Sequence, residues 1–109
     1  MRKNVELELL KKARKMIDEP EKWTRGTYYF YGRYCLVGAI RYAEGVGDKR
    51  MYTPQLIRVC RLLSPRSTTG KRAISRVIER NDSSSHSELL AWLDRAIRRV
   101  EKKKKQGIA

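Results

Sequence analysis

Thr53-Pro54-Gln55-Leu56-Ile57-Arg58-Val59-Cys60-Arg61-Leu62-Leu63 is the stretch on which the fold turns. A threonine able to cap a helix precedes a proline, whose fixed φ suits the first helical position. Leu56, Ile57, Val59, Cys60, Leu62 and Leu63 then spread around most of the helical circumference. A helix that is apolar on nearly all sides is surrounded by other elements. The stretch therefore predicts a helix at the centre of a helical domain.

Toward the C-terminus, Ser64 to Gly70 reads as a Ser/Thr/Pro/Gly loop. Lys71 to Arg80 follows as a fourth helix, with Ala73, Ile74, Val77 and Ile78 turned inward and Asn81 and Asp82 ending it. Ser85-His86-Ser87-Glu88 is a capping box ahead of an apolar run. It opens a fifth helix to about Val100, with Leu89, Leu93, Ala96, Ile97 and Val100 on one stripe and Leu90 and Trp92 at its edges. Residues 102–109 read as a flexible basic tail on a single domain spanning 1–101.

Toward the N-terminus, Cys35 to Glu44 reads as a second helix closed by Gly45, with Leu36, Val37, Ile40 and Ala43 as its apolar face. Gly38 inside it weakens the helix and implies that another backbone approaches closely. Thr27 to Tyr31, bounded by Gly26 and Gly32, is β-branched and aromatic and predicts a short strand or one arm of a hairpin. Strand alternation would turn out either Tyr29 and Tyr31 or Tyr28 and Phe30. Residues 5–18 predict the first helix, with Asn4 as cap, acidic Glu6 and Glu8 early and basic residues late. Its inward stripe is Leu9, Leu10, Ala13, Met16 and Ile17, and Pro20 bounds it. The fold expected is all-α or α-dominated: one domain of about five helices with a short β element near residues 27–31.

The whole chain has 109 residues, 40% of them hydrophobic and 35% charged. That suffices for one modest core. No stretch approaches the ~20 apolar residues of a membrane span, and no signal-like apolar run follows the N-terminus, so a cytoplasmic protein away from the membrane is expected. Cys35 and Cys60 have no partner spacing and read as reduced thiols. One histidine and no C-x-x-C pair give no metal site, and no motif implies a cofactor.

Charge is the strongest functional signal. There are 26 Lys+Arg against 12 Asp+Glu, a formal net charge of +14. An excess of this size calls for an anionic partner. It is concentrated: residues 55–80 carry seven basic groups against one acidic, and residues 94–109 seven against two. Arg72, Arg76 and Arg80 stand one turn apart on the outer side of the fourth helix, with Arg66 and Lys71 before it. Guanidinium groups grip phosphate through two hydrogen bonds, so such a row suits a nucleic-acid backbone; the bland alternative is a solvated helix face. Arg95, Arg98 and Arg99 extend the basic surface on the fifth helix. The expected partner is DNA or RNA, or another polyanion. A helix-turn-helix fits residues 54–80 poorly, because the connection is too long. Thr69-Gly70-Lys71 lacks the first glycine and the final Ser/Thr of a phosphate-binding loop.

One constellation carries possible chemistry. Cys35 opens a helix, where the dipole favours thiolate, and His86 also lies at a helix start, near Asn81 and Asp82. These are the ingredients of a thiol hydrolase, with Cys35 and His86 as catalytic candidates. Packing roles for both residues are the competing reading. Trp23, Tyr28, Tyr29, Phe30, Tyr31 and Tyr34, flanked by Arg25, Arg33 and Arg41, either lid the core or stack on bases.

Several short signatures fall in order: Pro20-Glu21-Lys22-Trp23-Thr24-Arg25-Gly26, Cys35-Leu36-Val37-Gly38-Ala39, and Asn81-Asp82 followed by His86-Ser87-Glu88-Leu89-Leu90. Together they resemble a family of small uncharacterised proteins of bacteria and their phages, a domain of unknown function. That family usually carries a tryptophan just before the Asn-Asp pair, where this chain has Arg80. The resemblance implies a compact helical domain in a phage or mobile-element setting and supplies no activity. The function expected is that of a small basic binding protein, more a binder than an enzyme. A regulatory or counter-defence protein that binds a host protein complex is the alternative. The sequence leaves the oligomeric state open.

Overall fold

A computed structural model of the chain describes residues 5–46 and 52–105. The Asn4 cap, the Gly47 loop and the last four residues of the expected tail lie outside them. The described elements are α1 (Val5–Met16), a 3-10 turn (Pro20–Lys22), β1 (Tyr29–Phe30), β2 (Arg33–Tyr34), α2 (Leu36–Glu44), α3 (Pro54–Leu63), α4 (Gly70–Ser83) and α5 (His86–Lys105). The domain is α-dominated, with five helices and one two-residue hairpin, as expected.

α1 buries Leu7, Leu10 and Ala13, and Ile17 just beyond its end is buried too; Leu9 and Met16 lie at the edge of the stripe. Beyond Met16 the N–H groups of Ile17 and Asp18 bond only three residues back, to the carbonyls of Arg14 and Lys15. That tightening ends the helix before residue 18. Glu19 is extended ahead of Pro20, as the residue before a proline must be.

α3 touches all four other helices, which confirms its central place. It still leaves Arg58 and Arg61 exposed, and α2 is the more enclosed helix: every residue from Cys35 to Arg41 is buried. Gly38, which has no side chain, and the small Ala39 let neighbours close in on α2. Thr53 caps α3 by accepting the Leu56 N–H at 3.1 Å. Leu10, Ile17, Leu36, Ile40, Leu56, Ile74, Leu89 and Leu93 are completely buried, so all five helices feed one core. The Cα radius of gyration, 13.1 Å, is that of one compact domain of this length.

Two helix ends depart from expectation. α4 was expected to stop at Arg80 but continues to Ser83, with Asn81 buried inside it. Asn81 is a helix-breaking residue only when its amide competes for its own backbone; here other segments supply its partners. α5 begins at the capping box: the Ser85 N–H bonds Glu88 Oε1 at 2.8 Å and the Glu88 N–H bonds Ser85 Oγ at 3.2 Å. The Ser85 N–H, with help from the Ser85 hydroxyl, holds the Glu88 carboxyl below its ordinary pKa. The helix then runs on past Val100 to Lys105. Arg14 grips Asp94 with two hydrogen bonds, 2.9 and 3.3 Å, and Lys11 meets Glu101 at 2.8 Å. Asp94 and Glu101 are thereby turned toward α1.

Tyr29 pairs with Tyr34 and Phe30 with Arg33 across the antiparallel hairpin. Its turn is Tyr31-Gly32, both with positive φ, 46° and 82°. Two consecutive positive φ values make the tight turn whose twist matches that of a hairpin. The expected alternation of faces therefore fails at Tyr31, which is a turn residue rather than a strand residue. Tyr29, Phe30 and Tyr31 are all exposed.

Candidate nucleic-acid interface

On α4 the residues Arg72, Arg76 and Arg80 are exposed along one side, as their four-residue spacing requires. Below them the loop from Ser64 turns back, closed by a 2.7 Å hydrogen bond between the Ser64 and Ser67 hydroxyls. Between this loop, α4 and α5 lies an open cleft of about 610 Å³. Arg66, Arg76 and Arg80 line it, together with Glu79 and Trp92. The guanidinium of Arg80 sits 5.1 Å from the centre of the Trp92 ring, which holds that long side chain in place.

Structure sorts the sequence-derived basic residues into groups. Arg66, Arg76 and Arg80 converge on the cleft, and Arg72 continues the row one turn away. Arg95 and Arg99 lie three and seven residues beyond Trp92 and so share its side of α5. Arg99 reaches the Leu62 carbonyl at 2.8 Å, at the end of α3 beside the same loop. Arg98 shares its face with Asp94 and Glu101 on the α1 side. Lys71 is rotated by about 100° from Arg72 and stands in line with Ile78 and Asp82, away from the cleft. Glu79 is the acidic counterweight inside the cleft, leaving three guanidinium groups against one carboxylate. Trp92 was visible in sequence as a residue off the Leu89–Leu93–Ala96 stripe. Its position called for a partner of its own, which Arg80 supplies.

The proposed chemical constellation has a different geometry. Cys35 is the N-cap of α2: its Sγ accepts the Gly38 N–H at 3.3 Å. The thiol is buried, and burial pushes its pKa up despite the bonds from Gly38 and Val37. Cys60 is buried more deeply and pushed up to about 12. His86 bonds the Ile17 carbonyl through Nε2 at 2.7 Å, so Nε2 carries the proton, and its ring lies 5.5 Å from that of Trp23. Among the described residues no group of His, Cys, Asp and Glu could hold a metal ion. Cys35→Ser keeps the cap, because a hydroxyl accepts the same N–H. Its expected cost is about 1 kcal/mol, the low end of the ~1–3 of a buried hydroxyl without a partner. Thermal melting and native-state alkylation by iodoacetamide check this; rapid labelling of Cys35 at neutral pH would contradict the buried, protonated thiol.

The signature residues instead meet around Asn81, which is 1% exposed. Its Oδ1 accepts the Trp23 indole N–H at 2.7 Å and the Leu36 N–H at 3.0 Å. Its Nδ2 donates to the Thr24 carbonyl and to Asp82 Oδ1, both at 3.1 Å. Asp82 also receives the Gly26 N–H at 3.0 Å, and Arg25 donates to the Ser84 carbonyl at 2.6 Å while lying over Trp23. The tryptophan, glycine, cysteine, Asn-Asp and histidine signatures are thus parts of one structural junction. It ties the segment before α2 to the end of α4.

No helix of the described residues is long and apolar enough to cross a membrane. Neither a curated protein nor a solved structure matches the chain. Residues 1–99 match a family of unknown function, DUF6197, and the chain belongs to that family.

Proposed function

We propose that this protein is a small non-enzymatic binder whose α4–α5 face contacts the phosphate backbone of a nucleic acid. The observation that supports this most is the convergence of Arg66, Arg76 and Arg80, from a loop and a helix, on one open cleft. They do so in a chain of net charge +14. Phosphate contacts of this kind position a nucleic acid without reading its sequence. Arg72, Arg95 and Arg99 extend the contact surface; Lys71 and Arg98 add field rather than grip. The setting we propose is cytoplasmic and, from the resemblance to bacterial and phage proteins, that of a mobile element.

The test is salt-titrated binding to labelled duplex and single-stranded DNA and RNA. Changing Arg66, Arg76 and Arg80 to Gln should lower the melting temperature by only a few degrees, because all three are exposed and the Arg80–Trp92 contact is worth about 0.5–1 kcal/mol. It should flatten the slope of log affinity against log salt by up to about 0.9 per lost phosphate contact on duplex DNA. Arg98→Gln should flatten it less. Equal affinity and slope for the triple variant and the parent would remove the cleft as an interface. Capture of a host protein complex that persists at high salt would favour the counter-defence reading instead.

A further inference from the structure

The hairpin tip presents two aromatic rings where folding gives them nothing to do. Tyr31 is 86% exposed and Phe30 53%, the two most exposed large hydrophobic side chains among the described residues. Among the described residues the one aromatic partner of each ring is the other, edge to face at 4.7 Å. Tyr31 also sits at φ +46°, a region that disfavours any residue with a bulky side chain. Asn or Gly at that position would relax the turn, and Asn-Gly is the preferred pair for it. The protein therefore carries at this point a strained backbone and two unburied rings together. Strain that persists without a packing benefit is a mark of a binding element.

The rest of the aromatic cluster is accounted for. Tyr29, Tyr34 and Tyr42 pack on one another, with ring centres 5.1 to 5.5 Å apart. They fill the hairpin's inner face, against α2. Arg25 is engaged at Ser84 and Trp23, and Arg41 is buried over the Tyr28 ring. Arg33 differs. It is exposed, and it lies directly across the ladder from Phe30, so both side chains share the outer face. Phe30, Tyr31 and Arg33 thus form a projecting platform of two rings and a cation.

We propose that this platform stacks on the unpaired bases of a single-stranded nucleic acid. The occupant must be anionic, because the chain carries a net charge of +14. It must also offer flat apolar faces, because the platform does. An anionic polymer with flat rings is a nucleic acid, and its rings are open to stacking only where they are unpaired. A second copy of this chain fits poorly, since it brings the same charge. The proposal rests on the nucleic-acid reading above and deepens it by naming the form bound: the arginine cleft holds backbone and the hairpin tip takes bases.

The experiment uses the full chain: fluorescence anisotropy with two labelled oligomers of equal charge, an oligo-dT and an abasic oligomer of the same length, and co-sedimentation with anionic phosphatidylserine vesicles as the non-nucleic-acid control. Phe30→Ala and Tyr31→Asn are compared with the parent. Oligo-dT should bind more tightly than the abasic oligomer, and each variant should lose about 5- to 100-fold on oligo-dT while hardly changing on the abasic oligomer. Tyr31→Asn should at the same time raise the melting temperature, by about 4 °C, because it relaxes the turn. A gain in stability with a loss of base-dependent affinity is a result that a merely structural tyrosine would not produce. Equal binding of oligo-dT and abasic oligomer by the parent, unaffected by either variant, would overturn the stacking role and leave the arginine cleft standing. No binding of either oligomer would overturn both. Ring-dependent binding to vesicles alone would overturn the proposal in favour of a lipid surface.

Discussion

Asn81→Ala is expected to destabilise the domain by about 3–5 kcal/mol. This side chain makes four hydrogen bonds: it accepts from Trp23 and Leu36 at 2.7 and 3.0 Å and donates to Thr24 and Asp82, both at 3.1 Å. The Leu36 N–H belongs to the first turn of α2, which has no intrahelical partner for it. It lies in the core, where a stranded donor costs about 1–3 kcal/mol. The Trp23 indole N–H loses its acceptor as well. A loss of this size is a large part of the ~5–15 kcal/mol that holds a small domain together, and it should lower Tm by roughly 15–25 °C. Asn81→Asp should be comparably harmful at neutral pH. It keeps the acceptor but sets a carboxylate against the Asp82 carboxylate and the Thr24 carbonyl. Thermal unfolding followed by circular dichroism measures both. A Tm for Asn81→Ala within a few degrees of the parent would mean that water replaces the amide and that the junction is not a structural one.

Helices were legible because their signals are local. The Thr53-Pro54 start, the Ser85–Glu88 capping box and the Gly45 end each involve residues within one turn, and each is found in place. What was not legible depended on contacts far along the chain. Nothing around Asn81 announces that Trp23 and Leu36, 58 and 45 residues away, will satisfy its amide. Read locally, an Asn-Asp pair is a helix stop, and α4 accordingly ran three residues beyond its expected end. The hairpin was legible in part. Five aromatic and β-branched residues suggested a short strand or one arm of a hairpin, and the hairpin is there, but its arm stops at Phe30, because a turn with positive φ at a tyrosine runs against local preference.

The basic surface follows the same logic. The spacing of Arg72, Arg76 and Arg80 was sufficient to predict one exposed row. Which other arginines join that row depends on how α3, its following loop and α5 pack, and this is tertiary information. It separates Arg66, which enters the cleft, from Lys71 and Arg98, which do not. The Cys35 and His86 pair, read either as chemistry or as packing, shows the same dependence on tertiary contacts. Both do sit at helix starts as read, yet the thiol is committed to capping α2 and the imidazole to the Ile17 carbonyl. Residue type and helix position suggested chemistry, and burial assigned packing.

Gly38→Ala should be as damaging as the loss of Asn81, for a steric reason. Gly38 lies in the first turn of α2, three residues after the Cys35 cap, where alanine normally gains up to about 1 kcal/mol. Here a methyl group would fall inside the van der Waals radius of the Tyr28 backbone carbonyl. That carbonyl cannot rotate away freely, because it accepts the Cys35 N–H at 3.2 Å at the base of the hairpin. Overpacking against backbone costs about 1–3 kcal/mol, occasionally more, and displacing the hairpin forfeits the Cys35 bond as well. The expected net loss is about 3 kcal/mol, or roughly 12–20 °C in Tm. Gly70→Ala is the matched control. Its new methyl would press on the Cγ2 methyl of Ile57, a β-branched side chain that must shift but is not backbone, so its cost should be smaller, about 1–2 kcal/mol. If Gly38→Ala melts no lower than Gly70→Ala, the hairpin is held to α2 less tightly than its geometry requires. If it melts as expected, the same contact explains how a two-residue hairpin keeps Phe30 and Tyr31 at a fixed place on the surface: its base is seated against a helix that has no side chain at the point of contact.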